Sequence, residues 1–244
     1  MDNPHDDEPI AGIQKELQTN ESAPAAAMAQ TYLDKLDIVP LNIAITGESG
    51  SGKSTFVNAF RGIRNSDKER AAPTGVKETT TDVTSYPHPN YPNITLWDLP
   101  GIGTTKFPAD KYLKLVKFKR YDFFIIMSAD RFRENDVKLA KEIQKMKKKF
   151  YFVRSKIDHN IRDEEETQGS EFNEEETLKE IREDCIQGLV EGRVESPQVF
   201  LVSSFKLHLY DFRLLEKTLE EELPALKRNA LLLAQDRTWQ CLLL

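Results

Sequence analysis

One string of residues constrains the fold of this chain more than any other: Gly47-Glu48-Ser49-Gly50-Ser51-Gly52-Lys53-Ser54. It follows the apolar run Leu41–Thr46 and opens the amphipathic segment Lys53–Arg61. A strand, a turn of the pattern G-x-x-x-x-G-K-S and a helix together indicate a phosphate-binding loop. In such a loop, backbone N–H groups and the positive end of the helix dipole face the phosphates. The nucleotide-binding residues predicted from this motif are Gly50, Ser51, Gly52, Lys53, Ser54 and Thr55.

Apolar runs and amphipathic segments alternate along the rest of the chain. The predicted strands are Leu41–Thr46, Asp82–Tyr86, Ile94–Trp97, Phe123–Ser128, Phe150–Val153 and Gln198–Ser203. The predicted helices are Lys53–Arg61, Ala109–Lys119, Glu134–Lys149, Glu174–Val190 and Leu214–Leu223. The turn Pro87–Asn90 between the second and third strands indicates a hairpin. We therefore predict an α/β fold, a mostly parallel six-stranded sheet with helices on both faces.

The length of 244 residues fits one such domain with an extension at each end. We place the domain at residues 39–224. Residues 1–38 form an N-terminal arm that is partly helical, because spaced apolar residues precede Pro40. Residues 225–244 form a short C-terminal tail.

Composition excludes several classes of protein. Two cysteines cannot build a disulfide framework, and four scattered histidines argue against a zinc site. No apolar run approaches the roughly 20 residues that span a bilayer. The net charge of −6 argues against general nucleic-acid binding. Much of that charge lies in residues 161–176, where we expect a solvated loop leading into a helix, with an acidic docking site as the alternative.

A second motif, Asp98-Leu99-Pro100-Gly101, ends the third predicted strand. After a phosphate-binding loop, the aspartate of D-x-x-G holds Mg²⁺ through water, and the glycine N–H faces the γ-phosphate. Ser54 adds a hydroxyl to the metal. A loop threonine is also expected to close over it, and spacing alone does not choose among Thr74, Thr79, Thr80 and Thr81. We take Ser54, Thr80 and Asp98 as the metal set, and Lys53 and Gly101 as catalytic.

The base should be guanine, because Ser155-Lys156-Ile157-Asp158 fits [NT]-K-x-D with Ser at its first position. The Asp158 carboxylate can accept hydrogen bonds from guanine N1–H and the 2-amino group, whereas adenine would leave it unpaired. The stem of Lys156 can stack on the base. Ser203 and Ser204 end the last strand, where a small loop meets the base. An ATP-driven enzyme remains the alternative if Asp158 lies away from the base.

Ile102 follows D-x-x-G, where small signalling GTPases carry a glutamine that positions water. An isoleucine cannot orient water, so intrinsic hydrolysis should be slow. Another group or a partner must then complete the site. Glu78 is the best local candidate for this catalytic role.

The phosphate-binding loop is accompanied by more specific strings: Thr74–Thr80, Trp97–Gly103, Tyr121–Ile126, Phe150–Asp158 and Tyr210–Phe212. Together, over roughly residues 35–225, they resemble the interferon-inducible immunity-related GTPases. The resemblance implies a Ras-like G domain and GTP-dependent self-assembly on membranes around intracellular pathogens, as part of cell-autonomous defence.

By the same resemblance, Thr74 and Gly75 line the nucleotide. Glu78 assists hydrolysis across a dimer that faces through its nucleotides, formed with copies of this chain or with related GTPases. Lys53 is typical of the effector-like members. Full-size members continue into a C-terminal helical domain, whereas only about 20 residues follow the predicted G domain here. A truncated, GTP-regulated binding module with little turnover is therefore the second hypothesis.

Two features bear on membranes. The terminal Cys241-Leu242-Leu243-Leu244 has the form of a prenylation signal, and an apolar tail without that role is the alternative. The basic segments Lys111–Arg120 and Lys138–Lys149 are solvated faces by default, and an anionic-membrane surface is a hypothesis. We expect a cytoplasmic protein with peripheral association to the endoplasmic reticulum, Golgi or pathogen vacuole, and no nucleic-acid partner.

Overall fold

The computed structural model describes residues 27, 30, 31, 38–75, 80, 82–104, 107, 108, 111–130, 132–223 and 225–227. The chain divides into two compact units. One is Leu41–Leu223, and the other consists of Met1–Pro40 and Pro224–Leu244. The predicted N-terminal arm and the tail with Cys241 fall largely outside the described residues. The domain boundaries at 39 and 224 therefore stay a prediction.

A six-stranded sheet forms the centre of the first unit. Its strands are β1 Leu41–Gly47, β2 Thr84–Pro87, β3 Ile94–Asp98, β4 Phe123–Ser128, β5 Lys149–Arg154 and β6 Val199–Leu201. Their order across the sheet is β2-β3-β1-β4-β5-β6. The β2–β3 pair is antiparallel, and every other neighbouring pair is parallel. The predicted mostly parallel sheet and its hairpin are thus confirmed.

Helices cover both faces of this sheet. They are α1 Lys53–Phe60, α2 Tyr112–Leu115, α3 Glu134–Lys145, α4 Ile157–Gln168, α5 Glu174–Glu191 and α6 over residues 212–223. On one face, Phe124 and Ile126 of β4 belong to a buried apolar cluster that includes residues of α2, α3, α4 and α5. Successive strand residues point to opposite faces, so Phe123 packs on the other face, with its ring 4.8 Å from Tyr151. None of the helices in the described residues is long and apolar enough to cross a membrane.

The acidic segment 161–176 differs from its prediction. Most of it is helical: α4 runs to Gln168, a short 3₁₀ turn follows at Gly169–Glu171, and α5 begins at Glu174. In α4 only Ile157 and Ile161 are buried, one turn apart, so the helix shows little apolar periodicity in the sequence. The expected loop was wrong because two apolar residues suffice to anchor this exposed helix.

Two predicted helices are also shorter than expected. The segment Ala109–Lys119 holds α2 and a separate 3₁₀ turn at Phe118–Arg120, because Lys117 adopts a left-handed conformation with φ 52°. The segment Glu134–Lys149 ends its helix at Lys145. Lys147 then turns the chain with φ 55°, and β5 begins at Lys149.

Candidate nucleotide-binding site

The predicted motifs meet at the carboxyl edge of the sheet, because β1, β3, β4 and β5 run parallel. Ile45 of β1 is in register with Asp98 of β3, and Gly47 is in register with Met127 of β4. The loops that follow these strands therefore emerge side by side. This edge is where ligands bind in open α/β sheets.

The phosphate-binding loop leads from β1 into α1, as its motif predicts. Phe56 N–H donates to Gly52 O at 2.8 Å, which closes the first turn of the helix. Lys53 is buried with 6% of its surface exposed, and its Nζ donates to Gly47 O at 3.2 Å and Glu48 O at 2.7 Å. The loop's own carbonyls thus hold the ammonium over the loop, where it can meet a phosphate.

Three polar side chains from three separate segments contact one another beside this loop. Ser54 Oγ donates to Asp98 Oδ2 at 2.5 Å, and Thr80 Oγ1 donates to the same oxygen at 3.1 Å. The two hydroxyl oxygens are 2.9 Å apart. Of the four threonine candidates, Thr80 lies in this group. Thr74 is half-buried, and Thr79 and Thr81 are outside the described residues.

The Asp98 carboxyl is buried beside these hydroxyls. Its surface is 1% exposed, and its Oδ1 is buried with no hydrogen-bond partner in the described part of the chain. Burial raises the pKa of Asp98, while the hydrogen bond from Ser54 and the charge of Lys53 oppose that rise. A buried carboxylate oxygen beside two hydroxyls suits a hard cation such as Mg²⁺. The donor set therefore fits the predicted metal.

Gly101 lies against the phosphate-binding loop. A Cβ atom added to Gly101 would stand 2.5 Å from Ser49 N and 2.6 Å from Ser49 Cα, closer than real contacts allow. The next residue, Ile102, is 4% exposed, belongs to the apolar cluster and donates its N–H to Gly47 O at 3.1 Å. Its side chain therefore serves the core and is not available to a water molecule.

The guanine motif is attached directly to the phosphate-binding loop. Ser155 Oγ donates to Ser51 O at 2.7 Å, and Ser155 N–H donates to Ser128 O at 2.8 Å. This contact explains why a hydroxyl residue stands at the first position of the motif. Lys156 is exposed with φ 58°, and Asp158 lies in the first turn of α4 with 11% of its side chain exposed.

Ser203 shapes the loop that follows β6, which is the loop predicted to meet the base. This buried residue accepts hydrogen bonds from the N–H groups of Phe205 (3.3 Å) and Lys206 (3.1 Å) through its Oγ. Ser204 beside it is half-buried.

The remaining candidate residues lie in other segments. Thr55 is half-buried in α1, Gly75 is exposed, and Glu78 lies outside the described residues. The roles of all these residues stay predictions.

The sequence interpretation missed a polar cluster around Glu48. Arg133 Nη1 donates to Glu48 Oε2 at 2.6 Å, and Asn135 Nδ2 donates to Glu48 Oε1 at 2.8 Å. Arg133 also pairs with Asp130 at 2.8 Å. Asp136 caps the start of α3 by accepting from Arg133 N–H at 3.0 Å, and burial raises the pKa of Asp136 to about 7. The cluster ties a variable position of the loop to α3.

A glycine-rich phosphate loop, a buried aspartate beside it and a guanine motif at the edge of a mostly parallel sheet define the class: a P-loop G domain. The family model described as interferon-inducible GTPase (IIGP) matches residues 6–240 of the chain. The chain belongs to this family, as its motifs predicted.

Curated relatives agree with this placement. The chain is 49% identical over 222 residues to mouse interferon-gamma-inducible GTPase 10, a match that covers 91% of this chain and 53% of the relative. It is 44% identical over 227 residues to bovine interferon-inducible GTPase 5, covering 93% and 49%. The chain thus spans about half the length of these curated relatives.

Among solved structures, the LeoA bacterial dynamin GTPase from ETEC has a TM-score of 0.59 at 15% identity, covering 96% of this chain and 46% of that one. A dimerization-deficient mutant of Toc33 from Arabidopsis thaliana has a TM-score of 0.50 at 15% identity, covering 71% and 76%. At such identities the likeness concerns the fold alone.

Proposed function

We propose that this chain binds GTP with Mg²⁺, hydrolyses it to GDP, and assembles in its GTP-bound form on intracellular membranes in cell-autonomous innate immune defence. The observation that carries the proposal is the contact among Ser54, Thr80 and Asp98. It joins three segments that are separate in the sequence, and Asp98 Oδ1 beside it is buried with no hydrogen-bond partner in the described residues.

Each motif has a distinct part in this function. The loop N–H groups and Lys53 bind the phosphates, and the Asp98 and hydroxyl oxygens hold Mg²⁺, which neutralises phosphate charge when bound. Asp158 selects guanine through its carboxylate. Ser155 keeps the guanine motif and the phosphate-binding loop at a fixed separation. A base and a phosphate chain held at fixed positions cost less entropy to bind.

Hydrolysis in this proposal needs a group from outside the described site. Ile102 is buried in the core and cannot orient water. Glu78, or a residue of a second copy, is the proposed source. Assembly through the nucleotide-bearing face would supply it, so turnover and assembly are coupled.

The test is GTP turnover measured against protein concentration. We expect the rate per molecule to rise with concentration, and the Lys53→Ala variant to bind GTP about 100-fold more weakly and to lose turnover. Guanine should be preferred over adenine in competition experiments. Equal affinity for ATP and GTP would overturn the proposal at the level of the base.

A second candidate function is a GTP-regulated binding module that modulates related GTPases with little turnover. The buried Ile102, which cannot orient water, favours it. A flat and near-zero rate at every concentration, with GTP binding intact, would select this module over the hydrolase.

A further inference from the structure

A dense group of lysines lies on two segments that the proposed GTP cycle does not use. Residues 111–121 and 143–149 hold nine basic side chains and no acidic one, in a chain whose net charge is −6. Four exposed lysines define what we call the lysine surface: Lys114, Lys117, Lys119 and Lys147. Like charges at this density repel one another, so an oppositely charged partner would be stabilising.

Lys148 joins the two segments into one surface. Its Nζ donates to Lys119 O at 2.9 Å and to Tyr121 O. The 3₁₀ turn before β4 is thereby attached to the turn between α3 and β5. Lys119 and Lys147 therefore lie on two turns that this contact holds together.

The backbone holds two of these lysines in defined places. Lys117 and Lys147 have φ values of 52° and 55°, in the left-handed region that favours glycine. Each lies in a hydrogen-bonded turn, with Lys117 N–H donating to Lys114 O and Lys147 N–H donating to Gln144 O. The charges therefore project from ordered turns.

The lysine surface lies at the opposite edge of the sheet from the nucleotide site. Its turns precede β4 and β5, which begin in register at Phe123 and Lys149. The phosphate-binding loop follows the carboxyl end of the parallel strand β1. Six strand residues separate the two edges by about 20 Å. A partner can occupy the lysine surface while the nucleotide face stays open to a second copy.

We propose that the lysine surface docks on a bilayer containing anionic phospholipids, which rests on the membrane association in the proposed function. Lysines near such a surface each gain attraction to the headgroups. Leu115 is 48% exposed beside them and can enter the interface. Nucleic acid fits less well, because the aromatic residues Tyr112, Phe118 and Tyr121 are buried and cannot stack on bases.

The experiment measures co-sedimentation of the full chain with vesicles of phosphatidylcholine, and with vesicles in which part of that lipid is replaced by phosphatidylserine. We expect binding only to the second kind, and its loss when salt rises from about 0.1 M to about 0.5 M. Each lysine should contribute about fivefold, so the loss of three lysines should weaken binding about 100-fold, and a triple charge reversal should weaken it by at least that much. The test variant combines Lys114→Glu, Lys119→Glu and Lys147→Glu.

A matched control reverses three exposed lysines elsewhere, which changes the net charge equally: Lys68→Glu, Lys179→Glu and Lys217→Glu. The control should bind vesicles within a few-fold of the unmodified chain. GTP binding, measured with a fluorescent analogue in solution, should be unchanged in both variants and reports folding. If the test variant fails that measurement, the milder triple lysine-to-glutamine variant replaces it.

Three results would overturn the assignment: equal binding to both kinds of vesicle, equal losses in test and control variants, or single-stranded RNA bound more tightly than vesicles through the same lysines. GTP turnover that rises with concentration in solution, without vesicle binding, would refute this inference while leaving the proposed hydrolase intact. Vesicle binding without GTP binding would refute the proposed function but would leave the assignment of the lysine surface to membrane docking intact.

Discussion

At the carboxyl edge of the sheet, where the candidate nucleotide site lies, polar side chains are buried and contact one another. At the opposite edge, where the parallel strands begin and which we call the amino edge, the lysines of the lysine surface are exposed and repel one another. The Ser54–Asp98 and Ser155–Ser51 contacts are single short hydrogen bonds between distant segments. The lysine surface depends on a sum of charges in water. A buried polar contact is costly to break, while one exposed charge contributes little. The two edges should therefore respond very differently to single substitutions.

The largest difference should appear at Lys53. Lys53→Ala removes the buried ammonium that the loop carbonyls hold, and with it a charge-assisted contact to the phosphates. We expect GTP affinity to fall by about 100-fold, or about 3 kcal/mol, as measured by fluorescent-nucleotide titration. An affinity within a few-fold of the unmodified chain would show that the ammonium does not face the phosphates.

Gly101→Ala should be nearly as severe. The added Cβ would stand 2.5 Å from Ser49 N, so the phosphate-binding loop must shift. We expect a loss of about 2–3 kcal/mol in the free energy of unfolding, together with weaker nucleotide binding. Gly62→Ala is the control, since no atom lies within 4 Å of its added Cβ. That change should cost only about 1 kcal/mol through its positive φ and spare nucleotide affinity. Equal affinities in the two variants would contradict the close approach.

The raised pKa of Asp136, near the carboxyl edge, predicts that the free energy of unfolding depends on pH. Its pKa is raised by burial to about 7 from an ordinary value of 3.8, so the folded state binds the proton more tightly than the unfolded state. The contribution of Asp136 to stability is fully present below its unfolded pKa and is lost as pH rises through about 7. Asp136→Asn should remove that slope and raise the free energy of unfolding by about 2 kcal/mol at pH 8. Denaturant titrations between pH 4 and 8 check this, and parallel curves for the two proteins would refute it.

Ser155 should show a smaller effect that depends on its hydroxyl. Ser155→Ala loses the hydrogen bond to Ser51 O and should cost about 1 kcal/mol in stability, with up to about tenfold in GTP affinity. Ser155→Thr keeps a hydroxyl and should stay close to the unmodified chain. Thermal unfolding and nucleotide titration of both variants test this pair, and equal losses would show that the hydroxyl is not the cause.

The smallest effect is expected at the amino edge. Lys119→Ala removes one exposed charge and should change the free energy of unfolding by less than about 0.5 kcal/mol, with no change in GTP affinity. A loss above about 1 kcal/mol would mean that this lysine makes a structural contact, and the contrast between the edges would weaken.

Most of the sheet could be predicted from the sequence because several of its strands contain apolar runs, whereas the exposed strand β2 was predicted from the turn that follows it. β4 was predicted with its bounds, Phe123–Ser128, since all six residues are buried. The helices were less predictable where few residues face the core. α4 is anchored by two isoleucines, and the segment before β4 places Tyr112, Val116 and Phe118 in the core while the backbone turns at Lys117. The spacing of apolar residues alone does not predict that a residue such as Lys117 adopts a left-handed backbone conformation.

For the site, the motifs predicted which residues belong together, but not all of their contacts. Ser54 and Asp98 are 44 residues apart, and their pairing follows from the known geometry of the motif. Glu48 and Arg133 are 85 residues apart, and no motif connects them. Glu48 occupies a variable position of the loop, so its partner could be found only once the start of α3 was placed beside that loop.

The outer strands of the sheet bear on aggregation. β2 has four residues, ends in Pro87 and is largely exposed, while β6 on the opposite side has only three. Proline lacks the N–H that a further strand would need, and very short outer strands offer few backbone groups for pairing. A chain proposed to assemble with its own copies is thereby protected from open-ended sheet extension. In the proposed function, association would then take place through the nucleotide-bearing face and the lysine surface.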